Sequence, residues 1–288
     1  MKFEIKPVSG ALGAEILGVK LDKNLSNSQF DTIHKALLDY QVIFFRDQNL
    51  APEEHISFAR RFGELDYHPF AASLEEFPEI IAVIKEANDK TNRVFGGGWH
   101  TDVTFYEKPA MGSILYALEV PPFGGDTLFS NMYMAYEALS DGFKNLLHNM
   151  SAVHSASKAY GPNGRAAKRN SHATSGGYDT IKVRTGLDAL EETKHPVVRT
   201  HPETGKKGIF VNQGFTIKFN GWTEEESAPL LNFLYQHSAR PEFTCRFRWK
   251  TGSVAFWDNR CTHHFALNDY QGYRRAMHRV TICGDKPH

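Results

Sequence analysis

SVAFWDNRCTHHFAL, residues 253–267, is the stretch on which the fold turns. It opens as a hydrophobic strand, bends at Asp258 and Asn259, and then presents the adjacent histidines His263 and His264. Neighbouring residues on a strand face opposite sides, so at most one of the two should join a site on either face. Working outward, similar elements recur. VIFFR (42–46) is a continuous apolar run, hence a buried strand. Residues 79–86, 113–120, 127–131, 243–249 and 278–283 read as further strands, and 2–20 as short strands broken at Gly10 and Gly13.

Helices interrupt this pattern. Residues 26–38 open on a Ser/Asn cap and carry Phe30, Ile33, Leu37 and Leu38 on one face. A second helix covers 53–63 and stops at Gly63, a third 133–149 with a break near Gly142, and a fourth 223–238 behind a Thr cap. The stretch 160–190, rich in Gly, Ser, Asn, Lys and Arg, is too long for an ordinary connection and reads as a functional lid or a partly disordered insertion. Short strands bounded by Gly and Pro turns predict a mixed α+β chain, a mainly antiparallel sandwich or barrel dressed with helices. No domain boundary is visible, so 1–288 reads as a single domain.

Composition narrows the function. The 288 residues carry 33 Lys+Arg against 33 Asp+Glu, so net charge is zero and supplies no general field for nucleic acid or an anionic membrane. An anionic ligand must then be met by a few placed cations. Three cysteines without a CxxC pair, and an N-terminus without an apolar core, predict a reducing, cytoplasmic address. No window approaches 18 uninterrupted apolar residues. The 14 histidines stand out, roughly twice average usage.

GGGWHTDVTF (96–105) holds His100 and Asp102, which share a face if the segment is extended. Together with one histidine of the 263/264 pair they could grip a divalent metal from one side, as in non-haem Fe(II) oxygenases; zinc would accept similar ligands. Arg275 and Arg279 follow in YRRAMHRVTI (273–282), either as bidentate partners for an anion or as solvated strand-edge cations. The basic run Arg165, Lys168, Arg169 reads as a solvated loop face or as a guide for anions.

The chain resembles the taurine dioxygenase/TfdA family of Fe(II)- and 2-oxoglutarate-dependent oxygenases. The resemblance is carried by HTD at 100–102, GGDTLF at 124–129 and WDNRCTHHFALNDYQGYRRAMHRVTICGDKP at 257–287, together with GALGAEILGVKL, VIFFRDQ, ARRFGELDYHP and HPVVRTHPETGKKGIFVNQGF. It implies a double-stranded β-helix (jelly-roll) core with flanking helices. It also implies that His100, Asp102 and His264 hold iron, that Arg275 and Thr127 hold 2-oxoglutarate, and that O2 is consumed. By the same resemblance His68, Val103 (through its N–H) and Arg279 meet the substrate's anionic group, while Tyr160 and Phe215 wall the pocket. The implied substrate is a small organic anion, foremost a taurine-like sulfonate losing sulfite; an alkyl sulfate ester or an aryloxyalkanoate acid is the alternative. Positions that hold an Asn and a Tyr in taurine enzymes are Gly96 and Ala71 here, which predicts a roomier, less polar pocket. A homo-oligomer, dimer or tetramer, is compatible with this reading. A zinc hydrolase on the same three ligands and a non-catalytic ligand-binding barrel are the rival classes.

Overall fold

In a computed structural model, the described residues are 3–89, 94–172 and 183–288, without the side chains of 169–172. The chain begins with β1 (Glu4–Pro7), β2 (Ala14–Leu17), α1 (Asn27–Tyr40), β3 (Val42–Phe45), α2 (Pro52–Arg60) and β4 (Ile80–Lys85). The middle adds β5 (Gly112–Glu119), β6 (Thr127–Asn131), α3 (Met132–Glu137), α4 (Asp141–Leu147), β7 (Ser151–Ser155), α5 (Ser157–Tyr160) and α6 (Arg165–His172). Then come β8 (Glu192–Pro196), β9 (Val198–Thr200), β10 (Lys207–Ile209), β11 (Thr216–Phe219) and α7 (Glu224–Ser238). The chain closes with β12 (Thr244–Phe247), β13 (Val254–Asp258), β14 (Thr262–Ala266) and β15 (Arg275–Ile282).

Seven strands form the main sheet in the order β1-β2-β3-β13-β5-β15-β4, antiparallel except for β2 beside β3. Both faces are covered, and the apolar runs explain how. In β3, Val42 and Phe44 point to one core while Ile43 and Phe45 point to the other; in β13, Ala255 and Trp257 divide from Val254 and Phe256 in the same way. The outer face packs on α1 and α2 through Ile33, Ala36, Leu37, Phe58 and Ala59. The inner face meets a three-stranded sheet, β12-β6-β14, where Phe44 stacks on Phe247 at 4.0 Å and Phe129 lies 5.7 Å from Trp257. A third core joins α3, α7 and β11 through Met132, Leu231, Leu234 and Phe219.

Local signals set the helix ends. Ser26 accepts the Gln29 N–H while the Gln29 side chain accepts the Ser26 N–H, a reciprocal cap. Thr223 and Glu226 repeat it at α7. The expected break near Gly142 is displaced: Ser140 caps α4, so the chain breaks between α3 and α4 and Gly142 lies inside the second helix. The 53–63 helix ends at Arg60, before Gly63. Strands β7 to β11 are additions to the sequence reading. Of the expected lid at 160–190, residues 173–182 lie outside the described residues; its described flanks are α5, α6 and a 3-10 turn at Leu187–Leu190.

Candidate metal centre and its surroundings

The inner face of the sandwich brings His100, Asp102 and His264 together. His264 projects from β14, and its main chain exchanges two hydrogen bonds with His100, at 2.8 and 3.1 Å. This isolated bridge, rather than the alternation of a regular strand, aligns the first histidine with the second. After His100 the chain turns sharply: Val103 holds φ at 45°, a region that β-branched residues avoid, directly behind Asp102. Gly214 lets the neighbouring loop press against His100, since a Cβ there would lie 2.8 Å from the His100 Cβ.

Asp102 Oδ1 lies 3.7 Å from Nε2 of His100 and 3.7 Å from Nε2 of His264. The three ligand atoms all fall within 4.8 Å of one another. Ligands at right angles around an ion, each about 2.1 Å away, would be roughly 3 Å apart, so a slight contraction suffices. His100 Nδ1 donates to the Gly98 carbonyl at 2.7 Å, which leaves the Nε2 lone pair facing Asp102. Burial pushes the pKa of both imidazoles down, keeping them neutral. Burial opposes the Asp102 charge, but the Arg279 guanidinium and the Ser113 hydroxyl work against it, and the carboxyl is held below its ordinary range. Two neutral imidazoles and one carboxylate on a single side form a donor set that fits a ferrous ion. The adjacent His263 is buried but stands outside this set; burial lowers its pKa to about 3.

Strand β15 carries two buried arginines, Arg279 against the centre and Arg275 four residues before it. Arg279 Nη1 donates to Asp102 Oδ1 at 3.0 Å, so the cation expected near a substrate anion rests here on the ligand carboxylate. Arg275 is 3% exposed, yet its Nε and Nη2 have no hydrogen-bond partner among the described residues. A buried guanidinium with unmatched donors calls for an anion. Its charge lies over the Trp249 ring at 5.7 Å, and the same indole donates its N–H to Thr127 Oγ1 at 3.0 Å. With that oxygen already accepting, the Thr127 hydroxyl proton is free to be donated.

Aromatic rings run from His100 to His68. Phe215 lies 6.5 Å from His100, Phe105 5.0 Å from Phe215, and Phe70 5.9 Å from Phe105. Tyr160 stacks on Phe70 at 4.8 Å and meets His68 edge-on at 5.8 Å. His68 Nδ1 accepts the N–H groups of Phe70 and Ala71 at 3.1 and 3.0 Å, which puts the imidazole proton on Nε2. Burial, then the nearby Arg279, lowers its pKa to about 3. The segment following the undescribed residues clasps this wall: Arg184 donates to the Pro69 carbonyl at 2.6 Å and stacks over Phe70 at 4.7 Å. Of the basic run, Arg165 and Lys168 are exposed on α6, with the Arg165 charge felt at His100; the Arg169 side chain lies outside the described residues.

Sequence reasoning missed Trp249, Phe70 and Phe105, and it also missed a second buried cluster. There His201 Nε2 donates to Asp258 Oδ2 at 3.0 Å while its Nδ1 accepts the N–H groups of Glu203 and Thr204. Arg260 donates to both Asp258 oxygens, at 2.9 and 2.7 Å, and to Glu203 at 2.7 Å. Cys261 adjoins it with a thiol whose pKa burial drives well up. Although His201, Asp258 and Cys261 lie close enough to surround an ion, the His201 nitrogens and both Asp258 oxygens are already engaged.

A mixed sandwich of this kind, with an open His-Asp-His face, is the scaffold of a metal-dependent protein. Comparison with known proteins makes the assignment specific. Residues 4–281 match the taurine catabolism dioxygenase TauD, TfdA family, and the chain belongs to that family. Among its relatives is an alkylsulfatase of Acinetobacter baylyi, 35% identical over 99% of this chain and 86% of its own length. An alpha-ketoglutarate-dependent sulfate ester dioxygenase of Pseudomonas putida is 35% identical over 100% and 91%. The crystal structure of a taurine dioxygenase from Burkholderia xenovorans superposes with a TM-score of 0.81 at 36% identity, covering 99% of this chain and 90% of that one.

Proposed function

We propose that the chain is a 2-oxoglutarate-dependent dioxygenase that hydroxylates a small organic sulfonate. The observation that carries this reading is the buried Arg275, with unmatched donors, joined through Trp249 to Thr127 on β6, the strand that pairs with His264 of the His-Asp-His face. His100, Asp102 and His264 hold Fe(II) from one side. Thr127 and Arg275 bind the far carboxylate of 2-oxoglutarate. Bound iron and 2-oxoglutarate supply the oxidising step, consuming O2 and releasing succinate and CO2. The substrate anion is received by the Nε2–H of His68, the N–H of Val103 and the guanidinium of Arg279, while Phe215 and Tyr160 exclude water. Hydroxylation at the carbon bearing the sulfonate lets the C–S bond break as the hydroxyl proton leaves, giving a carbonyl compound and sulfite.

A second reading, an alkyl sulfate ester, is favoured by the apolar wall of Phe70, Phe105 and Phe215 and by the small residues Ala71 and Gly96. The same scaffold is read as one dioxygenase domain with an insertion at 160–190, whose two packed sheets are the halves of a double-stranded β-helix. We also read it as cytoplasmic and homo-oligomeric, acting on a small molecule rather than a nucleic acid or membrane. Among the described residues no helix is long and apolar enough to cross a membrane.

Anaerobic titration with Fe(II) and 2-oxoglutarate tests the centre. A visible charge-transfer band is expected, absent in His264→Ala and weakened in Arg275→Ala; metal-loaded protein without a band would instead point to the zinc hydrolase. Succinate formation over sulfonates, sulfate esters and aryloxy acids tests the substrate, with sulfite or sulfate release separating the first two. Stimulation only by uncharged compounds would overturn the role of Arg279.

A further inference from the structure

Of the two Asp102 carboxylate oxygens, Oδ1 lies 3.7 Å from each histidine Nε2 and also accepts from Arg279. What fixes the other is a chain of buried hydrogen bonds whose directions follow from donor chemistry. The Trp257 indole N–H can only donate, and it meets Asn259 Oδ1 at 2.9 Å. The Asn259 amide is thereby oriented so that its Nδ2 faces Ser113 Oγ at 3.2 Å. An amide nitrogen only donates, so the Ser113 oxygen accepts. Its own proton then goes to Asp102 Oδ2 at 2.8 Å, since an ionised carboxylate can only accept. Thr281 Oγ1 is a weaker competitor at 3.5 Å.

Sheet register builds this relay. Trp257 on β13 pairs directly with Ser113 on β5, and Asn259 follows where β13 ends, its N–H held by the Met111 carbonyl at 2.8 Å. Trp257, Asn259 and Ser113 are 2%, 1% and 0% exposed, so water does not compete. Asn259 Oδ1 also receives the Asp102 main-chain N–H at 3.4 Å, and the Trp257 ring lies 4.7 Å from that of His264.

We propose that Ser113 and Asn259 are positioning residues which make Asp102 offer the metal a single oxygen, Oδ1. Pinned at Oδ2, the carboxylate cannot swing to present both oxygens and occupy space that the co-substrate requires. The inference rests on the three-ligand reading above.

Its test is the affinity of the full-length, metal-free protein for Mn(II), followed by loss of the free-ion EPR signal. Ser113→Ala should weaken binding roughly 10- to 100-fold, the range for outer-shell partners. Asn259→Asp should do likewise, although it hardly changes shape. Its new carboxylate cannot donate to Ser113 and instead draws the hydroxyl proton away from Asp102. Because both act through one hydrogen bond, the double variant should bind no worse than the poorer single one. Melting temperatures of the metal-free variants separate positioning from packing; should Ser113→Ala melt early, Ser113→Thr, which keeps the hydroxyl, should restore affinity. Unchanged Mn(II) affinity in Asn259→Asp, or additive losses in the double variant, would overturn the relay. His264→Ala distinguishes the two failures. If it alone loses Mn(II), the centre stands and the relay is wrong; if it too binds normally, both fall.

Discussion

Two buried histidine–aspartate clusters flank the β13–β14 connection, and only one of them is open. In the His201–Asp258–Arg260 cluster, His201 uses both ring nitrogens and Arg260 engages both carboxylate oxygens. In the His100–Asp102–His264 cluster, the Nε2 atoms lie 3.7 Å from the carboxylate, too far to bond it, and Arg275 on β15 keeps two donors unmatched. Residue types are nearly the same. The difference lies in unsatisfied bonding capacity, which in a buried site is a demand for a ligand. A cluster of histidine and aspartate is therefore a site or a strut according to its hydrogen bonds, not its composition.

Exchanging the roles should break the comparison most visibly. His100→Ala should weaken metal binding by at least about 100-fold, one ligand's share of a structural metal's affinity, with a much smaller change in metal-free stability. Asp258→Asn should do the reverse. It leaves the buried Arg260 guanidinium with Glu203 as its remaining carboxylate partner and should cost up to about 3–5 kcal/mol in urea denaturation, with folded protein binding metal normally. Equal effects of both variants on both readouts would erase the distinction.

Acid should sharpen it at a smaller scale. Burial lowers the pKa of His55 and His263 to about 3, against roughly 6.5 in the unfolded chain. Between those values the unfolded state binds protons that the native state refuses, so stability falls as pH drops below 6.5. Each such group contributes a slope of up to about 1.4 kcal/mol per pH unit. His55 Nε2 contacts the Ile114 carbonyl at 3.2 Å, and His55→Gln can keep that bond. The variant should flatten the slope between pH 6 and 4 in parallel denaturation curves; an unaltered slope would exclude His55 as a contributor.

The smallest expected effect concerns selectivity. Gly96 has φ +76, which asparagine tolerates better than most residues, and a Cβ there would sit 3.3 Å from His100 Cε1. Gly96→Asn should lower kcat/KM a few-fold for anions with long apolar chains relative to short polar ones. An unchanged ratio would separate Gly96 from substrate choice.

Much of this was legible without coordinates. His100, Asp102 and His264 stand in short local motifs, and strand alternation already excluded one of His263 and His264. Strands β3 and β13 could be read because they are apolar on both faces. Ser113, Asn259, Trp257 and Trp249 could not be singled out, because what each does depends on which strand lies alongside, a fact of register that one sequence does not carry. Asn259 in particular looks like an ordinary turn residue. Strands β7 to β11 were missed because they are short and interleaved with polar residues such as Thr193, Lys194, Lys207 and Lys218. The misplaced helix break has a simple cause: the Ser140 cap is a stronger local signal than a tolerated glycine.

The adjacency of Asp258 and Asn259 has a practical consequence. Loops are ordinarily where a chain accepts insertions, new termini or fused partners. This turn is one of the poorest places for them, with Asp258, Asn259 and Arg260 only 0%, 1% and 6% exposed. One side chain braces the strut and the next braces Asp102, so a single inserted residue would rotate one of them out of place. Circular permutation or domain insertion belongs instead at turns such as that around Gly221, which is exposed and has open space where a side chain would go.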